Sequence, residues 1–166
     1  NHIYNPDSIK FPLNNKGKLS FKLDQVAPYN GIEDFNAHDA VGDSIATMKL
    51  AKLVNEGSPD LWHASLQTTN REDTNNIIES EKIFCITETF FGKTMPFIVS
   101  FLCFHPVYKW GQCFDLKNNP EDYINLTNES LQHFMSKSPK IIRSVRNNKN
   151  PIIMNSNYIS KINEYK

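Results

Sequence analysis

A single helical segment near the amino-terminal end constrains this sequence more than any other stretch. Apolar side chains recur at Val41, Ile45 and Met48, the spacing that places them on one face of a helix. Gly57 follows as a stop signal. The pattern predicts an amphipathic helix over about residues 38–55, packed through that apolar stripe.

Two titratable residues, His38 and Asp43, lie at the start of this helix. Asp43 is two residues from Val41, about 200° round a helix, and therefore points away from the predicted stripe. A carboxylate held off a packing face is free to bind a metal ion, and His38 can reach the same place from the lead-in. Asp39 competes as the ligand, but we interpret it as a stabiliser of the helix start. Alone, His-x4-Asp is a short pattern that usually occurs by chance.

A wider match surrounds the motif and continues after it. The stretches that carry it are Ser20–Asp24, Asn30–Ile32, Asn36–Ala40, Asp43, Ala46–Thr47, Ala51–Val54, Phe104–Pro106, Asp115–Leu116 and Asn148–Pro151. Together they resemble the bacterial exodeoxyribonuclease I family of DEDDh 3′→5′ exonucleases, strongly before residue 56 and loosely after residue 83. In that family, His-x4-Asp supplies a general base and one metal ligand.

The resemblance implies that His38 is the general base and that Asp43 binds Mg²⁺, with two ions in the complete enzyme. It implies hydrolytic release of 5′-mononucleotides from the 3′ end of single-stranded DNA, in DNA repair or recombination. It also implies contact with single-stranded DNA-binding protein, a monomer and a bacterial cytoplasm. Histidine suits the role of base because its charge changes near neutral pH, and Mg²⁺ prefers carboxylate oxygens as ligands.

The family's set of carboxylates is incomplete in this sequence. The family also uses an Asp-x-Glu pair and a further Asp, and no Asp-x-Glu occurs in the 166 residues. We therefore interpret the chain as a fragment lacking the N-terminal part of the nuclease domain and the C-terminal helical region, and we expect it to be inactive alone. Two alternatives stay open: a proofreading or RNA-trimming DEDDh relative, and a non-catalytic module that binds single-stranded nucleic acid.

The sequence changes from helical to β-rich character along its length. We predict an α+β fold, with residues 1–58 as the C-terminal end of an RNase H-like exonuclease domain, 59–82 as a linker and 83–166 as an SH3-like domain. The predicted elements are a helix capped by Ser20 over Phe21–Ala27, strands over 83–86, 97–104, 112–116, 141–145 and 151–154, and a helix from about 127 to 136 with Leu131, Phe134 and Met135 buried. The strand over 97–104 is apolar on both faces and is expected to be buried.

Composition sets limits without indicating a function. Lys plus Arg and Asp plus Glu both number 18, so the net charge of zero does not indicate a nucleic-acid partner. No stretch approaches the ~20 consecutive apolar residues that span a bilayer. The three cysteines, Cys85, Cys103 and Cys113, form no Cys-x-x-Cys pair, and we interpret them as reduced core residues.

Basic residues recur every three positions near the carboxyl-terminal end, at Lys137, Lys140, Arg143, Arg146 and Lys149. Such a series is typical of a surface that follows phosphates. Tyr108 and Trp110 flank Lys109 and can offer stacking faces to bases. We predict that nucleic acid is bound by Lys109, Trp110, Lys140, Arg143, Arg146 and Lys149. The opposing interpretation is a solvated basic surface, with both aromatic residues in the core of a small barrel.

Overall fold

A computed structural model describes residues 3–33, 35–90, 93–162 and 165. The chain divides into two compact units, Asn1–His63 and Ala64–Lys166. Helices and an antiparallel sheet are both present, so the predicted α+β class is confirmed. In the part of the chain that the structure describes, no helix has the length and apolar character needed to cross a membrane.

The first unit is built on two helices. α1 spans Leu23–Tyr29 and α2 spans Ala40–Gly57, the latter close to the helix predicted over 38–55. α1 begins later than predicted, and Pro28 lies inside it. The residue before its first turn is Lys22, which makes no side-chain cap. The capping preference of serine at the predicted start therefore did not set where this helix begins.

The packing face of α2 differs from the stripe predicted from its large apolar residues. Val41 is 66% exposed and Met48 is 65% exposed, whereas Gly42 and Ala46 are buried. The cluster around this buried face consists of Ala27, Ile32 and Ala46, with half-buried Leu23, Phe35, Leu50 and Leu53. The true face is one residue, or about 100°, from the predicted one. Small residues there let the backbones come close together.

Residues 59–82, predicted to be a linker, contain two helices. α3 spans Pro59–Gln67 and α4 spans Arg71–Ser80. The side chain of Asn70 caps α4, which satisfies an amide of its first turn. Ile78 of α4 is fully buried in the core of the second unit. The division between the units falls inside α3, and the domain limits drawn from the sequence remain a prediction.

The second unit contains a five-stranded antiparallel sheet with the spatial order β4-β3-β2-β1-β5. Its strands are β1 Phe84–Phe90, β2 Lys93–Phe104, β3 Gly111–Asp115, β4 Ile142–Val145 and β5 Ile153–Asn155. α5, Asn128–Ser136, lies in the connection between β3 and β4. The sequence predicts each of these five strands and the inserted helix. The SH3-like assignment itself remains a prediction.

The core of this unit collects side chains from all five strands and α4. It contains Ile78, Phe84, Ile86, Phe97, Val99, Cys113, Val145 and Ile153. β2 is not buried throughout, contrary to the prediction: Leu102 and Cys103 are exposed, where the pairing register with β3 shifts after Phe101. A bulge of this kind re-aims side chains. α5 also differs, because Phe134 and Met135 of its expected buried side are exposed.

Candidate functional site

Asp39 ends the lead-in to α2 as the N-cap of the helix. Its backbone is extended, with φ −98° and ψ 131°, and its carboxylate accepts the Gly42 amide at 3.1 Å. This bond satisfies a free amide of the first turn and places negative charge at the positive end of the helix dipole. Asp39 therefore has the helix-starting role predicted for it, with one carboxylate oxygen used by the cap.

Gly42 lets the lead-in lie directly against the first turn of α2. A Cβ at this position would overlap the carbonyl oxygen of Asn36 and would come within 2.9 Å of the Asn36 amide nitrogen. Between these residues, His38 has a φ of 70°, a left-handed conformation that costs a non-glycine residue roughly 1 kcal/mol or more. The turn is therefore both tightly packed and strained.

His38 and Asp43 meet across this turn. The His38 amide donates a hydrogen bond to Asp43 Oδ1 at 3.3 Å. Asp43 is half-buried in the first turn of α2, and His38 is exposed. A carboxylate offers two oxygens and about four acceptor positions, so the amide orients Asp43 and leaves its second oxygen available to a cation. The structure thus brings the two predicted residues together through the histidine backbone.

The described residues supply one suitable carboxylate and not a complete metal site. Among them, no three His, Cys, Asp or Glu side chains lie close enough together to hold a metal ion. Asp43 has the donor chemistry that Mg²⁺ requires, because this ion commonly binds one or two carboxylates and fills its remaining positions with water and substrate phosphate. Asp43 therefore fits the role of a single magnesium ligand.

Arg143 is a predicted nucleic-acid contact that the structure places in the interior. Only 8% of the residue is exposed. Its Nε and Nη2 donate to Asp115 Oδ2 at 3.2 and 3.1 Å, and its Nη1 donates to Glu88 Oε2 at 3.0 Å. The guanidinium carbon also lies 3.7 Å from the centre of the Phe97 ring. Every guanidinium nitrogen is engaged, so the expectation that Arg143 binds phosphates is corrected: it holds strands together.

Asp115 is the centre of this buried network. Its Oδ1 accepts the Tyr165 hydroxyl at 2.7 Å and the Lys117 amide at 3.1 Å. Burial, and then the hydrogen bond to Asp115, raise the pKa of Tyr165. Tyr165 therefore remains a neutral hydrogen-bond donor at ordinary pH. The carboxylates and the guanidinium come from β1, β3 and β4, and no short-range pattern in the sequence indicates their convergence.

The loop between β2 and β3 carries two of the predicted contacts, Lys109 and Trp110. The Tyr108 and Trp110 rings stack, with centroids 4.7 Å apart and planes 19° apart. Arg146 places its guanidinium carbon 4.8 Å from the centre of the Trp110 ring. Tyr108 is 56% exposed and Trp110 is half-buried. The interpretation of Tyr108 as a core residue is therefore wrong. The partial burial of Trp110 fits neither a core residue nor a fully exposed stacking face.

Arg146 also lines a groove of about 730 Å³ in the second unit. Lys140 and Lys149 line it as well, together with the apolar side chains of Phe90 and Met95. Within the described ranges, none of the three cations forms an ion pair with a carboxylate. Unpaired cations beside apolar side chains suit an anionic ligand with flat or apolar parts.

Asn147 is a site residue that sequence reasoning missed. It is 1% exposed, and its Nδ2 donates to the Lys109 carbonyl and to Asn75 Oδ1, both at 2.7 Å. It therefore ties the loop between β2 and β3 to α4 and to the segment after β4. The only signal in the sequence is one asparagine in an Asn/Lys-rich stretch, which is indistinguishable from ordinary turn chemistry.

Comparison with known proteins gives consistent sequence matches. No protein-family model matches the chain. It is 46% identical over 57 residues to exodeoxyribonuclease I of Escherichia coli (strain K12), which covers 34% of this chain and 12% of that protein. It is 34% identical over 89 residues to exodeoxyribonuclease I of Buchnera aphidicola subsp. Schizaphis graminum, which covers 52% of this chain and 18% of the relative. The matches span less than a fifth of either relative.

Solved structures agree with the sequence matches. E. coli exonuclease I in complex with a dT13 oligonucleotide matches with a TM-score of 0.70 and 26% identity, over 97% of this chain and 37% of that one. An ExoI/SSB-Ct complex matches with a TM-score of 0.68 and 24% identity, over 95% of this chain and 36% of that one. The chain is therefore similar in sequence and fold to a part of exodeoxyribonuclease I, which confirms the predicted resemblance.

Proposed function

We propose that this chain is part of a single-strand-specific 3′→5′ exodeoxyribonuclease that releases 5′-mononucleotides by hydrolysis and acts in DNA repair or recombination. The observation that carries the proposal is the Asp43 carboxylate, oriented by the His38 amide at the start of α2, in a chain similar to exonuclease I over 97% of its length. One suitable carboxylate cannot hold two ions, so we expect the chain alone to be inactive.

His38 is the proposed general base and Asp43 the proposed metal ligand. Bound Mg²⁺ supplies stabilisation of charge on the phosphate and lowers the pKa of water. His38 is exposed at the mouth of the helix, where its side chain can accept a proton from a water molecule near the substrate. The hydrogen bond from the His38 amide holds the Asp43 carboxylate in place, so the ligand is oriented by the turn itself.

Single-stranded DNA is the proposed substrate, and cations of the second unit are proposed to bind its phosphates. Lys140, Arg146 and Lys149 line one groove, and Lys109 lies on the loop that Asn147 holds. Support comes from the complex of E. coli exonuclease I with a dT13 oligonucleotide. Each phosphate that a cation neutralises releases counterions, so binding should weaken steeply as salt increases.

Contact with single-stranded DNA-binding protein is a further part of the proposal. Its support is the similarity of this chain to the exonuclease in an ExoI/SSB-Ct complex. A bacterial cytoplasm and a monomeric enzyme are the setting that we propose with it. Co-sedimentation of the chain with single-stranded DNA-binding protein, with and without the last residues of that partner, tests the contact directly.

The catalytic roles are tested by grafting residues 36–57 into the matching segment of E. coli exodeoxyribonuclease I and measuring nucleotide release from labelled single-stranded DNA. In an active graft, His38→Ala should lower the rate by about 10²–10⁴-fold, the usual contribution of a general base. Asp43→Asn should lower activity and raise the Mg²⁺ concentration required. Asp39→Asn is the matched control, because asparagine caps a helix as well as aspartate does.

The outcomes separate the roles. An active graft that tolerates His38→Ala would refute the assignment of the base. Equal responses to Asp39→Asn and Asp43→Asn would remove the assignment of the metal ligand. A graft that folds and stays inactive would favour the alternative of a non-catalytic module, provided that the chain binds single-stranded DNA.

A further inference from the structure

We propose that the ring of Tyr108 is a docking face for nucleobases, so that the loop between β2 and β3 binds the bases of a single strand while neighbouring cations bind its phosphates. This inference rests on the proposed function, because it names the residue that contacts the bases of that substrate. It also changes the role predicted for Trp110, which becomes the support beneath Tyr108.

Four flat groups lie in series on this surface. The His105 and Tyr108 rings are 4.8 Å apart and tilted by 40°, and the Tyr108 and Trp110 rings are 4.7 Å apart and nearly parallel. Arg146 lies 4.8 Å from the Trp110 ring. Tyr108 and Trp110 each have two neighbours in this series, but Trp110 is half-buried, whereas Tyr108 keeps 56% of its surface exposed. A base that approaches this series has the Tyr108 ring accessible to it.

The loop is held in shape by its own hydrogen bonds. The His105 amide donates to the Trp110 carbonyl at 2.8 Å, and the Lys109 amide donates to the His105 carbonyl at 2.9 Å. His105 Nδ1 accepts two amides of the turn, one of them from Tyr108, at 3.2 Å each. Asn147 binds the Lys109 carbonyl at 2.7 Å, where the Lys109 backbone is left-handed with φ 57°. A loop already fixed in this way loses little entropy when a ligand binds.

Unpaired cations beside the ring series favour an anionic ligand. Lys109 belongs to the loop, and Arg146 and Lys149 line the adjoining groove. In the described residues, none of these three pairs with a carboxylate. Aromatic rings alone would accept many flat ligands, but rings and free cations together match the bases and phosphates of a nucleic-acid strand. Stacking tolerates any sequence, because every base has a π face.

The test measures binding of the complete 166-residue chain to two labelled probes with equal numbers of phosphates, an oligo(dT) and its abasic analogue. Tyr108→Ala should weaken oligo(dT) binding by about tenfold and leave binding of the abasic analogue unchanged. Tyr108→Phe keeps the ring and should bind like the wild type. Tyr29→Ala is the matched control, because Tyr29 is 57% exposed and lies in the first unit.

Each other outcome overturns the proposal in a different way. If Tyr108→Ala weakens both probes equally, or neither, Tyr108 is not a base contact, and the phosphate contacts still stand. If the wild-type chain binds both probes equally tightly, the bases contribute nothing to affinity. The stacking proposal is then overturned, and the proposal that the chain binds DNA still stands. If the wild-type chain binds neither probe, the stacking proposal and the DNA-binding part of the proposed function fail together.

A second measurement does not depend on the folding of a variant. An oligonucleotide that carries 5-iododeoxyuridine forms adducts with aromatic side chains close to the base when it is irradiated. In the wild-type chain, we expect the modified peptide to contain Tyr108. Adducts found only on aromatic residues outside residues 105–110 would overturn the proposal.

Discussion

The His38–Asp43 pair and the Arg143 cluster are two polar sites built in opposite ways. His38 and Asp43 are five residues apart, and an exposed lead-in joins them at one end of α2. Arg143 is buried, and its partners Asp115 and Glu88 lie 28 and 55 residues away along the chain. The first site is local and open to solvent, and the second is non-local and mostly buried.

This difference decides how much of each site the sequence reveals. The start of a helix fixes the relative positions of residues a few places apart, so the spacing of His38 and Asp43 already restricts their geometry. Strand pairing brings together residues whose separation along the chain is arbitrary. The spacing of Arg143 among other basic residues therefore indicates a surface, whereas the fold gives it two carboxylates and the Phe97 ring.

Replacement of Arg143 should have the largest effect on stability. Arg143→Met leaves Asp115 and Glu88 without their cation, and removing one partner of a buried ion pair costs roughly 3–5 kcal/mol. We expect a loss of that size in the free energy of unfolding, measured by urea titration of circular dichroism. Adding Asp115→Asn should recover part of the loss, because the variant then buries no unpaired carboxylate at that position.

Arg146→Met is the matched control for this comparison. Arg146 is exposed, so its replacement should lower the free energy of unfolding by at most about 1 kcal/mol, the value of an exposed cation–π contact. It should instead weaken binding to single-stranded DNA and lower the slope of log K against log salt by about one. The opposite result would contradict both roles. In that case Arg146→Met would lower the free energy of unfolding and Arg143→Met would weaken binding to single-stranded DNA.

Gly42→Ala tests how tightly the local site is packed. Alanine favours a helix over glycine by roughly 1 kcal/mol, but its Cβ would overlap the Asn36 backbone, and forced contacts of this kind cost roughly 1–3 kcal/mol. We expect the cost of the overlap to exceed the gain in helix propensity, so that thermal unfolding shows a net loss of about 1 kcal/mol in the free energy of unfolding. Thr47→Ala, at an exposed position of the same helix, is the control and should be neutral or slightly stabilising. A Gly42→Ala variant that is more stable than the wild type would mean that the Asn36 backbone moves away from the new Cβ at little cost.

Much of the fold could be predicted because strands and helices follow from local patterns. The β-rich interpretation finds all five strands, and the α2 prediction is within two residues at each end. The errors concern burial, which depends on the surface that an element meets. Val41 counts as core in the pattern, yet Gly42 and Ala46 form the packed face. Leu102 belongs to an apolar run, yet a register shift leaves it exposed.

The residues of the candidate site also divide into those that local spacing identifies and those that depend on distant partners. The spacing and the resemblance together identify His38 and Asp43, and the structure adds the hydrogen bond between them. Trp110 and Arg146 are both named from composition, and they contact each other. Asn147 could not be identified, because its function depends on a carbonyl 38 residues away. Side chains that act through distant partners carry no periodic signal.

His38→Gly should stabilise the chain while removing the proposed base. The φ of 70° at His38 is unfavourable for a side chain and suits glycine. Relief of this strain is partly offset by the greater freedom of glycine in the unfolded chain, so we expect a gain of about 0.5 kcal/mol in the free energy of unfolding. Ala37→Gly is the neighbouring control and should lose stability. A His38→Gly variant that is less stable than the wild type would show that the side chain itself supports the turn.

Thiol reactivity tests whether the three cysteines, which the sequence does not distinguish, differ in burial. The sequence treats Cys85, Cys103 and Cys113 alike, but Cys103 is exposed and the other two are buried. Burial raises the pKa of Cys85 from 9.0 to about 11. Burial, and then the neighbouring Cys103, raise the pKa of Cys113 from 9.0 to about 12. At pH 8, iodoacetamide should therefore modify Cys103 in the folded chain and spare the others until urea unfolds it.

The same pKa values set the direction of a stability change with pH. Well below pH 9, both buried thiols are protonated in the folded and the unfolded chain, so they add no dependence on pH. Between pH 9 and about 11 or 12, the unfolded chain releases these protons and the folded chain keeps them, so the free energy of unfolding should fall as pH rises. Cys113→Ala should reduce that slope. A slope equal to that of the wild type, measured by urea titration, would show that Cys113 is accessible to solvent.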